Sequence, residues 1–128
     1  MTLQVELVVP DGEIWSGPAS MVIAKTLDGN IGVLTGHAPV FGVLAEGSQV
    51  EILNDDAEPV RAVVSGGFLS VANDRVSILA AQALFAGEVD ADQAQRELDS
   101  ALAEAEPGPE EPAEAKYARA QLRAAGRA

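Results

Sequence analysis

The single histidine of this 128-residue sequence, His37, lies in the segment Gly36-His37-Ala38-Pro39, and histidine is the residue type that most often performs acid–base chemistry. A histidine can act as a general base or as a metal ligand. A zinc site of the usual kind needs further histidines or cysteines, and the chain has 1 histidine and 0 cysteines. The glycine-flanked serine of a nucleophile elbow is also missing. We therefore interpret His37 as a loop residue that hydrogen-bonds locally; a small β-domain enzyme that uses His37 with a carboxylate is the alternative.

Glycine-rich and acidic segments offer no stronger site. Residues 29–32, Gly-Asn-Ile-Gly, lack the lysine and the following helix of a phosphate-binding loop. The carboxylates of Asp55, Asp56 and Glu58 lack the ligand spacing of a calcium-binding loop and are typical of a solvated turn. The sequence therefore predicts neither a catalytic site nor a metal site.

Basic side chains are concentrated at the C-terminus. Residues 116–128 contain four bases and no acid, in a chain whose formal net charge is −12. Arg119, Arg123 and Arg127 are spaced by four, so they lie along one face of a helix. Their charges could simply complement the negative end of that helix. The alternative interpretation is a basic stripe that binds an acidic partner.

A second candidate contact surface is the segment of residues 35–42. It combines glycines and a proline with the apolar side chains of Val40 and Phe41. These side chains could cover one end of a β domain, or they could form a surface that contacts a partner.

The elements that position these residues follow from a change in composition. Thirteen of the 14 valines precede Ala80, whereas 16 of the 23 alanines lie from Ala80 onward. Valine with frequent glycine is typical of short strands joined by tight turns, and alanine with Glu, Gln, Arg and Leu is typical of helices. We therefore predict a β domain at residues 1–86 and a helical region at residues 87–128.

Strands recur about every ten residues in the β domain, which predicts an antiparallel sandwich or barrel. Apolar residues alternate with polar ones in the first strand, and Asn73-Asp74 is expected to join the last two strands as a hairpin. The predicted strands are Leu3–Val9, 21–25, 50–52, 60–64, 68–71 and 76–79.

The helical region is predicted to be an antiparallel hairpin. A first helix begins after an N-cap at Asp90, stops at Pro107-Gly108-Pro109, and is followed by a second helix from about Pro112. The seam between the two helices is mostly alanine. Because buried methyl groups contribute little energy, we expect the hairpin to be weakly held and able to rearrange.

Charge and hydropathy exclude several classes of protein. The acidic balance disfavours nucleic-acid binding and direct binding to anionic lipid. Residues 1–13 lack the basic and apolar regions of a secretory signal, and no apolar run reaches the roughly 18 residues of a membrane span. We expect a soluble, cytoplasmic protein without a transmembrane segment.

Several motifs of the β domain form an ordered set. They are residues 10–12 (Pro-Asp-Gly), the Gly29–Leu34 segment that runs into Gly36-His37-Ala38-Pro39, and residues 65–68 (Ser-Gly-Gly-Phe) and 76–80 (Val-Ser-Ile-Leu-Ala). The second of these is similar to the signature loop of the epsilon subunit family of F-type ATP synthases, and the whole set resembles that family in its order. The sequences of residues 89–92 and 120–124 look most like those of actinobacterial members.

The resemblance implies a ten-stranded β-sandwich followed by a two-helix hairpin, in a non-catalytic subunit of the rotor stalk. It implies that the sandwich contacts the gamma subunit and the c-ring during proton-driven ATP synthesis, at the cytoplasmic face of the membrane. It also implies that the hairpin reaches the catalytic alpha and beta subunits transiently and inhibits ATP hydrolysis. The implied c-ring and gamma contacts are Asn30, Ile31, Gly36, His37, Ala38 and Pro39, and the implied contacts to an acidic segment of the catalytic subunit are Arg119, Arg123 and Arg127.

The nucleotide motif of some relatives is incomplete in this sequence. That motif places an arginine three residues after the aspartate, and the corresponding residues here are Asp90, Gln93 and Ala94. A neutral amide cannot make the charge-assisted contact to phosphate, so we expect ATP binding to be weak or absent. The alternative to a stalk subunit is a free-standing β-sandwich module that binds a ligand or peptide.

Overall fold

The computed structural model describes residues 2–55, 57–104 and 111–126. The described part of the chain forms eight strands, a single-turn 3₁₀ helix and two α-helices. In chain order these are β1 Leu3–Val9, β2 Gly12–Ala19, β3 Met21–Thr26, β4 Gly29–Leu34, β5 Val40–Leu44, β6 Ser48–Asn54, β7 Ala57–Ala72, β8 Arg75–Phe85, the 3₁₀ helix Ala86–Glu88, α1 Ala91–Glu104 and α2 Ala113–Ala124.

The strands enclose a core of branched aliphatic side chains, so the predicted β-sandwich followed by helices is confirmed. Alternate residues of each strand point inward, as the period of two predicts. The largest fully buried side chains of this core are Leu3, Val5, Leu7, Val22, Val33, Val50, Ile52, Val64, Leu69, Val71 and Ile78.

The strands are hydrogen-bonded in the order β2-β1-β8-β7-β5-β3-β4, and β6 pairs with both β3 and β7. The expectation of a purely antiparallel sheet is wrong at one place, because β1 pairs with β8 in parallel. These two strands are distant in sequence, so no tight turn has to join them and parallel pairing is possible.

The described residues form eight strands rather than the ten that the resemblance implies, and one long strand, β7, pairs with two different strands along its length. The first half of β7 pairs with β6 and its second half with β5. The change of partner occurs around Gly66, whose φ is 58°, and Gly67, where a Cβ atom would collide with the carbonyl oxygen of Leu79. Glycine is therefore required at this bend.

Three observed strands are absent from the sequence-based prediction, namely β2, β4 and β5. Each contains glycine, and β2 also contains Pro18, so their intrinsic strand preference is poor. Backbone pairing with better strand formers overrides that preference. The predicted β7–β8 hairpin is confirmed, with positive φ values of 51° at Asn73 and 60° at Asp74.

The helical hairpin is also confirmed. The Asp90 carboxylate accepts a hydrogen bond of 3.1 Å from the backbone N–H of Gln93, as an N-cap does. The second helix begins one residue after Pro112. The predicted stop at residues 107–109 lies outside the described residues. Side chains that pack in the seam are Ala94, Leu98, Ala115, Ala118 and Leu122.

The α2 helix joins the hairpin to the sandwich by packing on β6 and β7. Val63 of β7 and Ala120 of α2 are both buried, yet neither belongs to the sandwich core or to the seam of the hairpin. The molecule therefore has two separate cores and a small contact between them. Neither α1 nor α2 has the length and apolar character needed to cross a bilayer.

Candidate functional site

The turn that contains His37 is held at one end of the sandwich by local hydrogen bonds. The backbone N–H of Gly36 donates to the Asp74 carboxylate at 2.6 Å, which ties this turn to the β7–β8 turn. The Nδ1 atom of His37 lies 2.7 Å from the carbonyl oxygen of Ala38, so Nδ1 is the protonated nitrogen and donates. Ala38 and Pro39 are exposed and His37 is half-buried. The turn thus presents a shaped, mostly uncharged surface.

The predicted contact segment of residues 29–39 is not a single loop, which corrects the sequence-based description. Its first half is the edge strand β4, where Asn30 pairs with Lys25 and is exposed. Ile31 points to the opposite face and packs against the sandwich core. Asn30 lies four residues before Leu34, where β4 ends, which is about 13 Å along the strand. Asn30 and the His37 turn therefore belong to different ends of the strand.

A row of exposed apolar side chains crosses the outer face of the sheet. Val43 is paired with Phe68, and Phe68 with Leu79, on the adjacent strands β5, β7 and β8. The Phe41 ring stacks on the Phe68 ring with their centroids 5.3 Å apart. These four side chains are 41–66% exposed. We call Phe41, Val43, Phe68 and Leu79 the apolar row.

Of the apolar row, only Phe41 lies in the segment of residues 35–42 that the sequence predicts as a contact surface. A sharper signal was available, because Phe68-Leu69 and Ile78-Leu79 place two large apolar residues next to each other in a strand. Neighbouring residues in a strand point to opposite faces, so one of each pair must lie outside the core. Contiguous apolar surface outside a core is typical of a protein contact.

The arginines of α2 do not form one free stripe. The Arg119 guanidinium contacts the Glu111 carboxylate three times, with Nε–Oε distances of 2.9 and 2.8 Å and an Nη2–Oε1 distance of 2.8 Å. Arg123 is exposed and lies beside Arg61 of β7 at a small cavity of about 150 Å³. Arg127 lies outside the described residues. In this conformation Arg119 is already neutralised within the chain.

The hairpin and the sandwich border a crevice of about 1130 Å³ that contains the incomplete nucleotide motif. Asp90 is engaged as an N-cap, Gln93 faces the crevice, and Ala94 is buried in the seam. The charged side chains that line the crevice are Arg96 and the carboxylates of Asp11, Glu88, Asp90, Glu97, Glu104 and Glu114.

This excess of carboxylates opposes a phosphate group in the crevice. Tyr117 also lines it, and burial, followed by the nearby Glu97 carboxylate, raises the pKa of its hydroxyl. Both observations describe a crevice that disfavours additional negative charge.

Comparison with known proteins identifies first the domain and then the family. Residues 2–86 match the family described as "ATP synthase, Delta/Epsilon chain, beta-sandwich domain". The ATP synthase epsilon chain of Thermobifida fusca is 50% identical over 125 residues, which cover 96% of this chain and 91% of that protein. The epsilon chain of Streptomyces avermitilis is 50% identical over 102 residues, covering 80% and 82% of the two chains.

Solved structures are similar to the whole fold. A chain in the cryo-EM structure of the Euglena gracilis mitochondrial ATP synthase (OSCP/F1/c-ring, rotational state 1) aligns with a TM-score of 0.73 at 26% identity, covering 94% of this chain and 75% of that one. A chain of the Tetrahymena thermophila ATP synthase central stalk and c-ring shares the fold with a TM-score of 0.60 at 18% identity. The protein belongs to the ATP synthase epsilon chain family, and it is a non-catalytic subunit of that complex.

Proposed function

We propose that this chain works in the central stalk of a proton-translocating ATP synthase, where residues 1–86 join the gamma subunit to the c-ring. Its place is peripheral, at the cytoplasmic face of the membrane. The Euglena neighbour comes from an F1/c-ring assembly, which supports this placement. The observation that carries the proposal is the apolar row, because four large side chains exposed together on a strongly acidic domain need a partner.

Two parts of the sandwich surface take different partners in this proposal. The apolar row spans three adjacent strands and suits an extended protein surface, so we assign it to gamma. The turn formed by Gly36, His37, Ala38 and Pro39 is compact, stiffened by the Asp74 contact and nearly uncharged. Such a turn suits the rim of a ring of small subunits, so we assign it to the c-ring. Asn30 and Ile31 are outside that contact in this assignment.

The gamma contact is tested by replacing Phe41 and Phe68 with threonine, which keeps the strand preference but removes the aromatic surface. We expect binding to the isolated gamma subunit to weaken by about tenfold or more, as for aromatic residues at the centre of an interface. Leu102→Gln is the matched control, since Leu102 is similarly exposed but lies on α1. Equal loss of binding in the control, or unchanged binding in the double variant, would overturn the assignment.

We propose in addition that residues 87–128 are a regulatory arm that restrains ATP hydrolysis when it reaches the catalytic subunits. Its support is the separate core of the hairpin, which allows the two helices to move as one body. Arg119, Arg123 and Arg127 would then meet an acidic segment of the catalytic beta subunit, and Arg119 would have to leave Glu111 first.

The arm is tested by removing residues 87–128 and measuring ATP hydrolysis by the reconstituted complex. The truncated sandwich should still bind gamma, because the apolar row is intact, and hydrolysis should stay equal or rise. Neutralising the three arginines to glutamine should give the same result if charge pairing holds the inhibitory state. A fall in hydrolysis upon truncation would contradict an inhibitory arm.

A further inference from the structure

The α2 helix packs on the turn between β5 and β6, and Gly47 is the residue of that turn that lies against the helix. Gly47 has a φ of 72°, which glycine adopts freely. A Cβ atom on this residue would lie 2.6 Å from the carbonyl oxygen of Lys116 and 3.1 Å from the Cβ atom of Ala120. Ordinary contacts of a Cβ atom are 3.4 Å or longer. Even the smallest side chain therefore cannot fit while α2 is docked.

The sandwich side of this contact cannot yield. The Lys25 carbonyl accepts a hydrogen bond of 3.0 Å from Ala45, and the Lys25 N–H donates to the buried Ser48 hydroxyl at 3.1 Å. The turn is closed by a 3.1 Å hydrogen bond from the N–H of Ser48 to Ala45. The hydroxyl of Ser65 on β7 donates to the Glu46 carboxylate at 2.7 Å. Three of these hydrogen bonds hold the turn against β3 and β7, and the fourth closes the turn itself.

The helix side cannot yield locally either. Lys116 lies in the first half of α2, so its carbonyl oxygen accepts the helical hydrogen bond from Ala120 and points along the helix axis. Relieving the collision requires the whole helix to retreat by about an ångström, and close packing does not tolerate such a gap. Among the described residues, Val63 of β7 and Ala120 of α2 are the buried apolar residues that belong to neither core, so the apolar contact that opposes release is small.

We propose that Gly47 is a steric latch that decides whether the hairpin is docked on the sandwich. Absence of a side chain at this one position lets α2 approach the turn, and any side chain there releases the hairpin while leaving both cores folded. The two cores share no residue, so release costs only the small contact between them. The regulatory consequence rests on the proposed function of the arm; the latch itself does not.

The test uses the full chain and a glycine of matched conformation. Gly36 has a φ of 80°, and a Cβ atom there meets nothing within 4 Å, so Gly36→Ala carries the same backbone strain without the collision. Gly47→Asn and Gly36→Asn form a second pair, because asparagine tolerates positive φ. Since the chain has 0 cysteines, nitroxide labels can be placed specifically after Glu58→Cys and Asp99→Cys, both exposed positions.

We expect the distribution of label distances to gain a longer population in both Gly47 variants, with the docked-to-released ratio falling about tenfold or more. The Gly36 variants should keep the wild-type distribution. Fluorescence of Trp15, the single tryptophan, reports whether the sandwich stays folded. A wild-type distribution in the Gly47 variants, or equal release in both sets, would overturn the latch.

ATP hydrolysis by complexes reconstituted with Gly47→Ala then separates the latch from the function of the arm. If the released arm inhibits, hydrolysis should fall below that of complexes with the wild-type chain. Release of the hairpin with unchanged hydrolysis would support the latch and overturn the regulatory arm.

Discussion

The sandwich and the hairpin of this protein are held together by different kinds of apolar contact. The sandwich buries valine, leucine and isoleucine side chains from strands that are far apart in sequence. The hairpin buries three alanines and two leucines from two helices that are neighbours in sequence. Because burial energy scales with apolar area, each contact in the sandwich stabilises more than its counterpart in the hairpin. This difference predicts that the sandwich is rigid and that the two helices of the hairpin separate more easily.

The chain carries a separate optical probe in each region. Trp15 is the single tryptophan and packs against the sandwich core, whereas Tyr117 is the single tyrosine and lies on α2. Unfolding of the two regions can therefore be followed independently in the intact protein.

The largest effect is expected from a cavity in the sandwich. Leu69→Ala removes a side chain that is fully buried, and it should lower the free energy of unfolding by about 3 kcal/mol. Urea denaturation followed by Trp15 fluorescence measures this loss. Leu27→Ala is the control, because Leu27 is 70% exposed and should change stability little. A loss below about 1 kcal/mol for Leu69→Ala would remove the contrast between the regions.

A smaller and more local effect is expected in the hairpin. Leu98→Ala deletes one of the two leucines of the seam and should destabilise the helices by about 2 kcal/mol. Far-ultraviolet circular dichroism should show loss of helix at low urea, while the Trp15 transition keeps its midpoint. A common shift of both transitions would mean that sandwich and hairpin unfold as one cooperative unit, which would contradict the weaker hold on the hairpin.

The smallest effect concerns pH. Because burial raises the pKa of Tyr117 in the folded chain, the unfolded hairpin releases this proton first as pH rises. The stability of the hairpin should therefore be constant below about pH 10 and fall above it. Tyr117→Phe should abolish this dependence.

Absorbance titration of the single tyrosine measures that pKa directly. Glu97→Gln should lower the pKa partly, since the Glu97 carboxylate is the second cause of the shift. Asp99→Asn, which also removes an acid from the exposed surface of α1, should leave it unchanged. A midpoint at or below the ordinary tyrosine value of about 10 would show that α2 leaves Tyr117 in water.

The proposed partner contacts are distributed between the two modules, with one group on the sandwich and the other on the hairpin. The apolar row and the His37 turn lie on the rigid module, where fixed geometry suits permanent contacts in a rotating stalk. The arginines lie on the arm, where Glu111 already satisfies one of them in the docked state. Both residues of this pair lie on the arm, so undocking the arm from the sandwich does not by itself free Arg119.

Much of the architecture could be predicted because its signals are local. Alternation in residues 3–9, the Asn73-Asp74 turn and the Asp90 cap each depend on a few neighbouring residues. The strands β2, β4 and β5 could not, because their sequences are poor strand formers whose pairing partners lie elsewhere in the chain. The parallel pairing of β1 with β8 has no local signal either.

The candidate contact residues were predicted less completely than the fold. Residues 36–39 were placed correctly in a turn, but Asn30 and Ile31 turned out to lie on a strand with opposite orientations. Phe68 and Leu79 were identified as strand residues without a role, because the register that aligns them with Val43 depends on two separate strand pairings. Arg119 was interpreted as part of a basic stripe or as a match to the negative end of the helix, and its contact with Glu111 was missed because the two residues are eight positions apart in sequence.

Composition and periodicity determined that this protein has a valine-rich β module, an alanine-rich helical module and no obvious catalytic chemistry, because these properties are read from neighbouring residues. The tertiary structure decided which apolar side chains are left outside the core, which arginine is neutralised, and that Gly47 lies beneath α2. Each of these depends on residues far apart in sequence meeting at distances of a few ångströms, and packing at that range is set by the whole fold rather than by any segment of it.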